Sequence, residues 1–151
     1  MSTKPFVPPE FAAPLTLETE QFRLEPLGPQ HNEPDYEAWS SSVAHIRQTP
    51  GWEQSSWPDD RDLAKNLDDL QGHADDFQNR TGFTYTVLDP ATGEVIGCVY
   101  IYPDKSGEQD AKVLSWVRAS RAELDAPLWQ AVGAWLEADW PFDSVSYAER
   151  S

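Results

Sequence analysis

The chain has 151 residues and a mass of 17.0 kDa, enough for one domain with a substantial core and too little for two. Apolar residues make up 39% of it and aromatic residues 12%, a composition that excludes a disordered polyelectrolyte. Asp and Glu number 26 against 11 Lys and Arg, and the resulting net charge of −15 excludes the basic face that nucleic acid or an anionic membrane surface would require.

No apolar run reaches the ~18 residues of a spanning helix, and the opening residues lack the basic and apolar regions of a signal peptide, so a cytoplasmic location is expected. The single cysteine, Cys98, agrees with a reducing compartment. Residues 1–14 carry Pro5, Pro8, Pro9 and Pro14 and should form an extended N-terminal arm ahead of a single domain over 15–151. Residues 21–27 alternate Phe22, Leu24 and Leu27 with polar neighbours, which predicts a short edge or opening strand. Asn32-Glu33-Pro34-Asp35 offers a capping side chain and an early proline for a helix running to about Ser42. Residues 45–60 have no clear period and read as a long irregular loop carrying Trp52 and Trp57. A helix follows in which Leu63, Leu67, Leu70, Ala74 and Phe77 form the buried stripe, with Asp69, His73 and Asp76 on a solvated face.

Residues 83–88 and 94–102 predict a hairpin around Asp89-Pro90-Ala91-Thr92-Gly93. The second of these strands is apolar throughout and reads as central, with Cys98 as an inert core thiol. Residues 112–118 continue the meander. A helix from about Pro127 to Asp139 then leads to a strand over 145–148, which a right-handed crossover sets parallel to its predecessor. The fold class is therefore α/β in the α+β sense, with a mixed, mostly antiparallel sheet and helices on its faces. Ser120-x-x-Glu123 and Asp125 are read as helix-capping residues.

The words filling this order resemble a known family. Residues 17–27, LETEQFRLEPL, are similar to the opening of the GNAT superfamily of acyl-CoA N-acyltransferases, Gly93-Glu94-Val95-Ile96-Gly97 to its central hairpin strand, and Trp116-Val117-Arg118 to the strand end before its cofactor loop. The resemblance implies acetyl-CoA as the acyl donor, bound where the strands over 114–118 and 145–148 splay apart. Trp116, Val117 and Arg118 would line it, and Arg121 would lie near its phosphates. The segment between Arg118 and Pro127 departs from the family's glycine-bearing phosphate loop. It contains no glycine and carries Glu123 and Asp125. The resemblance also implies a C-terminally short member, without the helix that often carries a protonating tyrosine. Its last strand would be an open edge, covered by a homodimer.

Acyl transfer needs a group to take the proton of the amine. Glu108, Tyr147 and Glu149 are the candidates retained, with Asp110, Tyr100 and Tyr102 as further possibilities and Ser115 near the splay. Trp52, Trp57, Glu53, Asp59 and Asp60 would suit a cationic small-molecule or peptide amine with an apolar body, or the tryptophans anchor the loop to the core. His31, His45 and His73 have no ligand-like spacing, so no metal site is expected. The readings left open are an N-acetyltransferase acting on an amine, a catalytically inactive ligand-binding or protein-interaction module on the same fold, and an acidic mimic of nucleic acid.

Overall fold

A computed structural model describes residues 5–57 and 62–150. Two short strands, β1 (Leu17–Glu18) and β2 (Arg23–Pro26), lead through a 3-10 turn at Pro29–His31 into helices α1 (Asn32–Ser40) and α2 (Val43–Arg47). Helix α3 (Leu63–Asn79) precedes the meander β3 (Phe83–Leu88), β4 (Val95–Pro103) and β5 (Ala111–Val117). A 3-10 turn at Ala119–Leu124 then runs into α4 (Asp125–Asp139), and β6 (Val145–Tyr147) closes the order. The strands form one sheet in the order β1-β2-β3-β4-β5-β6, antiparallel throughout except for the parallel pair β5 and β6. This is the predicted mixed sheet, with the crossover helix where the sequence placed it.

The sheet is covered on both faces because its strands alternate apolar residues toward each side. Val113 and Val117 of β5 join Leu128, Val132 and Trp135 of α4 in one core, while Trp116 joins Trp39 and Ile46 in the other. Strand β4 lies between β3 and β5, and Cys98 within it is fully buried, with its thiol pushed well up by desolvation. The N-terminal arm packs onto the α4 side through Val7 and is tied down by Arg80, which donates to the Phe11 and Pro8 carbonyls at 2.6 Å each. No helix among the described residues is long and apolar enough to cross a membrane.

Several local expectations are corrected. Residues 45–47, expected to open the irregular loop, belong instead to α2. Asn32 is the first residue of α1 and not its cap; its side chain donates to the Leu63 carbonyl at 3.2 Å and accepts from Asn66 at 2.9 Å. Helix α4 begins at Asp125, two residues early, and neither Asp125 nor Ser120 makes a capping bond; the Asp125 carboxylate is taken by Arg150 at 2.8 Å. In both places a distant partner outcompetes the local backbone for a short polar side chain.

The largest correction concerns α3. Leu63 and Leu67 are 38% and 42% exposed, whereas Asn66 and Leu70 are buried and Asp69, His73 and Asp76 are half-buried. The helix is rolled so that a polar stripe with spacings of three, four and three faces inward. Asn66 supports this orientation, because it accepts from Trp39 Nε1 at 3.0 Å and donates to Asp35 at 3.2 Å.

Candidate active site

The polar stripe of α3 forms one wall of a cleft of about 990 Å³, roofed by Trp52 and Trp57 and floored by Tyr100 and Tyr102 of β4. Leu114 of β5 and Ser146 of β6 bound its far side. Among the described lining residues the carboxylates Asp35, Asp69, Asp76, Asp104 and Glu108 outnumber Lys105 and Lys112. An apolar, aromatic enclosure with excess negative charge suits an organic cation.

The tryptophans anchor the loop to the core, and both also line the cleft. Trp52 is 6% exposed and packs its ring 5.3 Å from Trp57 and 5.5 Å from Tyr100, while the edge of the same cluster faces the cleft. Trp57 continues the cluster to Trp39 and Trp116 at 5.4 and 6.0 Å. Gly51 (φ +98°) makes the turn that delivers Trp52; a β-carbon there would press on Leu114 at 2.9 Å.

At the back of the cleft Asp35 is 4% exposed, and desolvation pushes its carboxyl up to about 6 despite the Asn66 hydrogen bond, with Asp69 adding to the rise. His73 is held by β3 and β4: its Nδ1 lies 3.0 Å from the Tyr102 hydroxyl and 3.1 Å from Thr84 Oγ1. Tyr102 in turn donates to Asp76 at 2.9 Å. Gly82 permits this, since a β-carbon there would run into the Tyr102 ring. Burial lowers the His73 imidazole below the usual 6.5, against the pull of Asp76 and Asp69.

Beyond the cleft, β5 and β6 part company. Their pairing ends at Val113 opposite Tyr147, so Leu114 to Val117 have no strand on that edge. The Ser115 carbonyl at this opening accepts from Trp52 Nε1 at 2.9 Å and from Arg150 Nη2 at 2.8 Å. Arg150, 5% exposed, also reaches Asp125 and, at 2.6 Å, the Ala148 carbonyl. On the α4 side of the sheet the Ser115 hydroxyl meets the Tyr147 hydroxyl at 2.6 Å, and burial pushes that phenol up to about 12.

The residues singled out from sequence are not gathered in one place. Glu108 stands exposed on the rim of the cleft, Tyr147 lies on the opposite face of the sheet, and Glu149 is exposed beyond β6. Trp116 is buried with its indole donating to Tyr100 at 3.0 Å, and Val117 is buried in the α4 core. Arg118 pairs with Glu37 at 2.7 Å and donates to the Val95 carbonyl at 3.2 Å, on the β4 side of β5. Arg121 is held by Asp89 and Glu94 at 2.7 and 2.9 Å in the β3–β4 turn. Asp59 and Asp60 lie outside the described residues. Glu53 caps the Gly51 amide at 2.7 Å. Among the described residues no group of three His, Cys, Asp or Glu side chains is gathered to hold a metal ion.

The fold recurs in solved structures. A ribosomal-protein-S5-alanine acetyltransferase from Vibrio fischeri superposes with a TM-score of 0.61 at 12% identity, over 82% of this chain and 67% of its own length. RimL, a ribosomal L7/L12 α-N-protein acetyltransferase solved with coenzyme A, gives 0.59 at 14% identity over 83% of this chain and 68% of that one. The chain has the GNAT acetyltransferase fold. The microcin C7 self-immunity acetyltransferase MccE, solved with acetyl-CoA and AMP, has the same fold with a TM-score of 0.58, 12% identity and coverage of 79% and 62%. No protein-family model and no curated protein matches the sequence.

The GNAT fold implies an acyl-CoA, and two parts of its site can be compared with the residues here. The Ser115 carbonyl, which an amide-bearing thiol arm would need as acceptor, faces the gap but is already taken by two N–H donors. Those donors are side chains, Trp52 and Arg150, so they close the gap without altering the frame. The phosphate end is the weaker half. The turn over 119–124 has no glycine, and the Asp125 carboxylate, with Oδ1 buried and unpartnered, stands at the first residue of α4.

Proposed function

We propose that this protein transfers an acetyl group from acetyl-CoA to a cationic amine with an apolar body. The observation that carries the reading is the position of the cleft: its lining includes Leu114, the first residue of β5 beyond the pairing with β6, so a ligand in the cleft would lie beside the strand edge that a thiol arm would use. The carboxylates attract the ammonium group and the tryptophan and tyrosine faces take its body. Bound acetyl-CoA would supply an activated acyl thioester, its arm taking the Ser115 carbonyl from Arg150. Small amines and peptide N-termini both satisfy the cleft's chemistry.

The test is thiol release from acetyl-CoA in the presence of spermidine, phenethylamine and short peptides with free N-termini. Turnover that saturates with one amine class supports the reading. No turnover with any of them, from a protein that also fails to bind coenzyme A in calorimetry, overturns it in favour of a non-catalytic ligand-binding role for the same cleft.

A further inference from the structure

We propose that His73 is the catalytic base of the cleft, its Nε2 accepting the proton that the amine nitrogen sheds on acylation, with Tyr102 and Asp76 as positioning residues behind the ring. The proposal rests on the acyl-transfer reading above and assigns its proton acceptor.

The hydrogen-bond geometry fixes the tautomer. A carboxylate can only accept, so the Tyr102 hydroxyl, 2.9 Å from Asp76 Oδ2, commits its proton there. The phenol oxygen is then an acceptor toward His73 Nδ1 at 3.0 Å, and Thr84 Oγ1, 3.1 Å from the same nitrogen, donates its own proton to the Tyr102 oxygen at 3.4 Å and so accepts from Nδ1 as well. Nδ1 therefore carries the proton. Nε2, at the distal edge of a ring that lines the cleft, keeps its lone pair.

The bound ammonium first gives one proton to water at the open mouth. The free amine's lone pair then forms the C–N bond to the thioester carbonyl, the C–S bond breaks and the sulfur leaves as thiolate, which takes up that proton. Meanwhile one N–H bond of the nitrogen breaks, its electron pair stays on nitrogen, and a new N–H bond forms at Nε2. The imidazolium so formed lies beside Asp69 and Asp76 of its own helix. Across the cleft it faces Asp104, Lys105 and Glu108 of the β4–β5 turn, Lys112 of β5 and Asp35 of α1, a surround with more negative than positive charge. Water at the open mouth can then take the proton away. The other carboxylates suit the role less well: Asp35 is buried behind Asn66, and Glu108 stands at the exposed rim.

The experiment combines imidazole 15N NMR of the full chain with turnover of acetyl-CoA and the amine probes from about pH 5.5 to 9. The expected spectrum is that of a neutral Nδ1–H imidazole at pH 7. His73→Gln should lower kcat about 100-fold with the amine KM within about threefold, and should remove the acid limb of the pH profile. Free imidazole should restore part of the rate to His73→Ala, which a purely structural histidine would not allow. Tyr102→Phe, which keeps the ring, should lose about tenfold in kcat and shift the His73 resonances.

A proton found on Nε2 overturns the proposal whatever the activity. So does a folded His73→Gln protein with kcat within about threefold of wild type and an unchanged acid limb; in that case the acyl-transfer reading survives and only the base is misassigned. A wild-type protein that shows the expected tautomer and turns over none of the probes overturns both.

Discussion

Arg150 closes the gap between β5 and β6, and removing it should open that gap to coenzyme A. Its guanidinium, with the side chain only 2% exposed, makes three hydrogen bonds, to Ser115 and Asp125 at 2.8 Å and to Ala148 at 2.6 Å. A thiol arm that needs the Ser115 carbonyl must displace the first of these. A hydrogen bond to a charged donor contributes roughly 1.5–3 kcal/mol, so relieving the competition should tighten coenzyme A binding by about 10- to 100-fold. The substitution has a second consequence, because it strands the Asp125 carboxylate, one of whose oxygens already lacks a partner. Breaking a buried pair from one side costs about 3–5 kcal/mol and would also leave a negative charge at the start of α4. The informative protein is therefore the double variant Arg150→Ala with Asp125→Asn, compared with wild type and with each single variant. Calorimetric titration of coenzyme A reads the affinity, and circular dichroism melting checks that each variant is folded. Unchanged or weaker affinity in a folded double variant would refute the argument and make Arg150 a ligand of the cofactor or irrelevant to it.

Other outcomes follow from the same geometry. The Asp35 carboxyl takes up protons in the folded state that the unfolded chain releases between pH 3.8 and about 6, so folding loses stability as pH rises through that window. Asp35→Asn should accordingly stabilise the protein by up to about 3 kcal/mol at pH 8 and by little at pH 4; equal melting shifts at both would show that the carboxylate is not desolvated as described. Arg121→Ala should leave coenzyme A affinity unchanged, because its guanidinium is engaged by Asp89 and Glu94 on the far side of β5, and a tenfold loss in titration would return it to the cofactor site. Gly82→Ala should destabilise by about 1–3 kcal/mol and disturb the His73 resonances by displacing Tyr102, whereas an unaffected melt would mean that the Tyr102 ring can move freely.

The sequence by itself determined the architecture. Strands over 83–88, 95–103 and 111–117, and the crossover helix that makes β6 parallel, were legible because each is specified by local alternation, turn residues and helical spacing. The aromatic lining of the cleft was legible in Trp52 and Trp57, but its described carboxylates come from α1, α3 and the β4–β5 turn rather than from the tryptophan-bearing segment. Helix α3 shows where this stops. It carries two stripes at helical spacing, one of leucines and one of Asn66, Asp69, His73 and Asp76, and apolarity favours burying the first. Tertiary structure kept Leu70 and Phe77 in the core, left Leu63 and Leu67 exposed and turned the second stripe inward, because Asn66 satisfies Trp39, Asn32 and Asp35 at once, while His73 finds Tyr102 and Thr84 on neighbouring strands. That second stripe at helical spacing was the signal that could have revealed the site. Arg150, Asp125 and Ser115 were beyond any such reading: they stand 35 and 25 residues apart along the chain and meet only where β5 and β6 diverge. Hydrophobic periodicity fixes which backbone segments pair, whereas the partners of buried polar groups are set by distances that exist only once the sheet has formed.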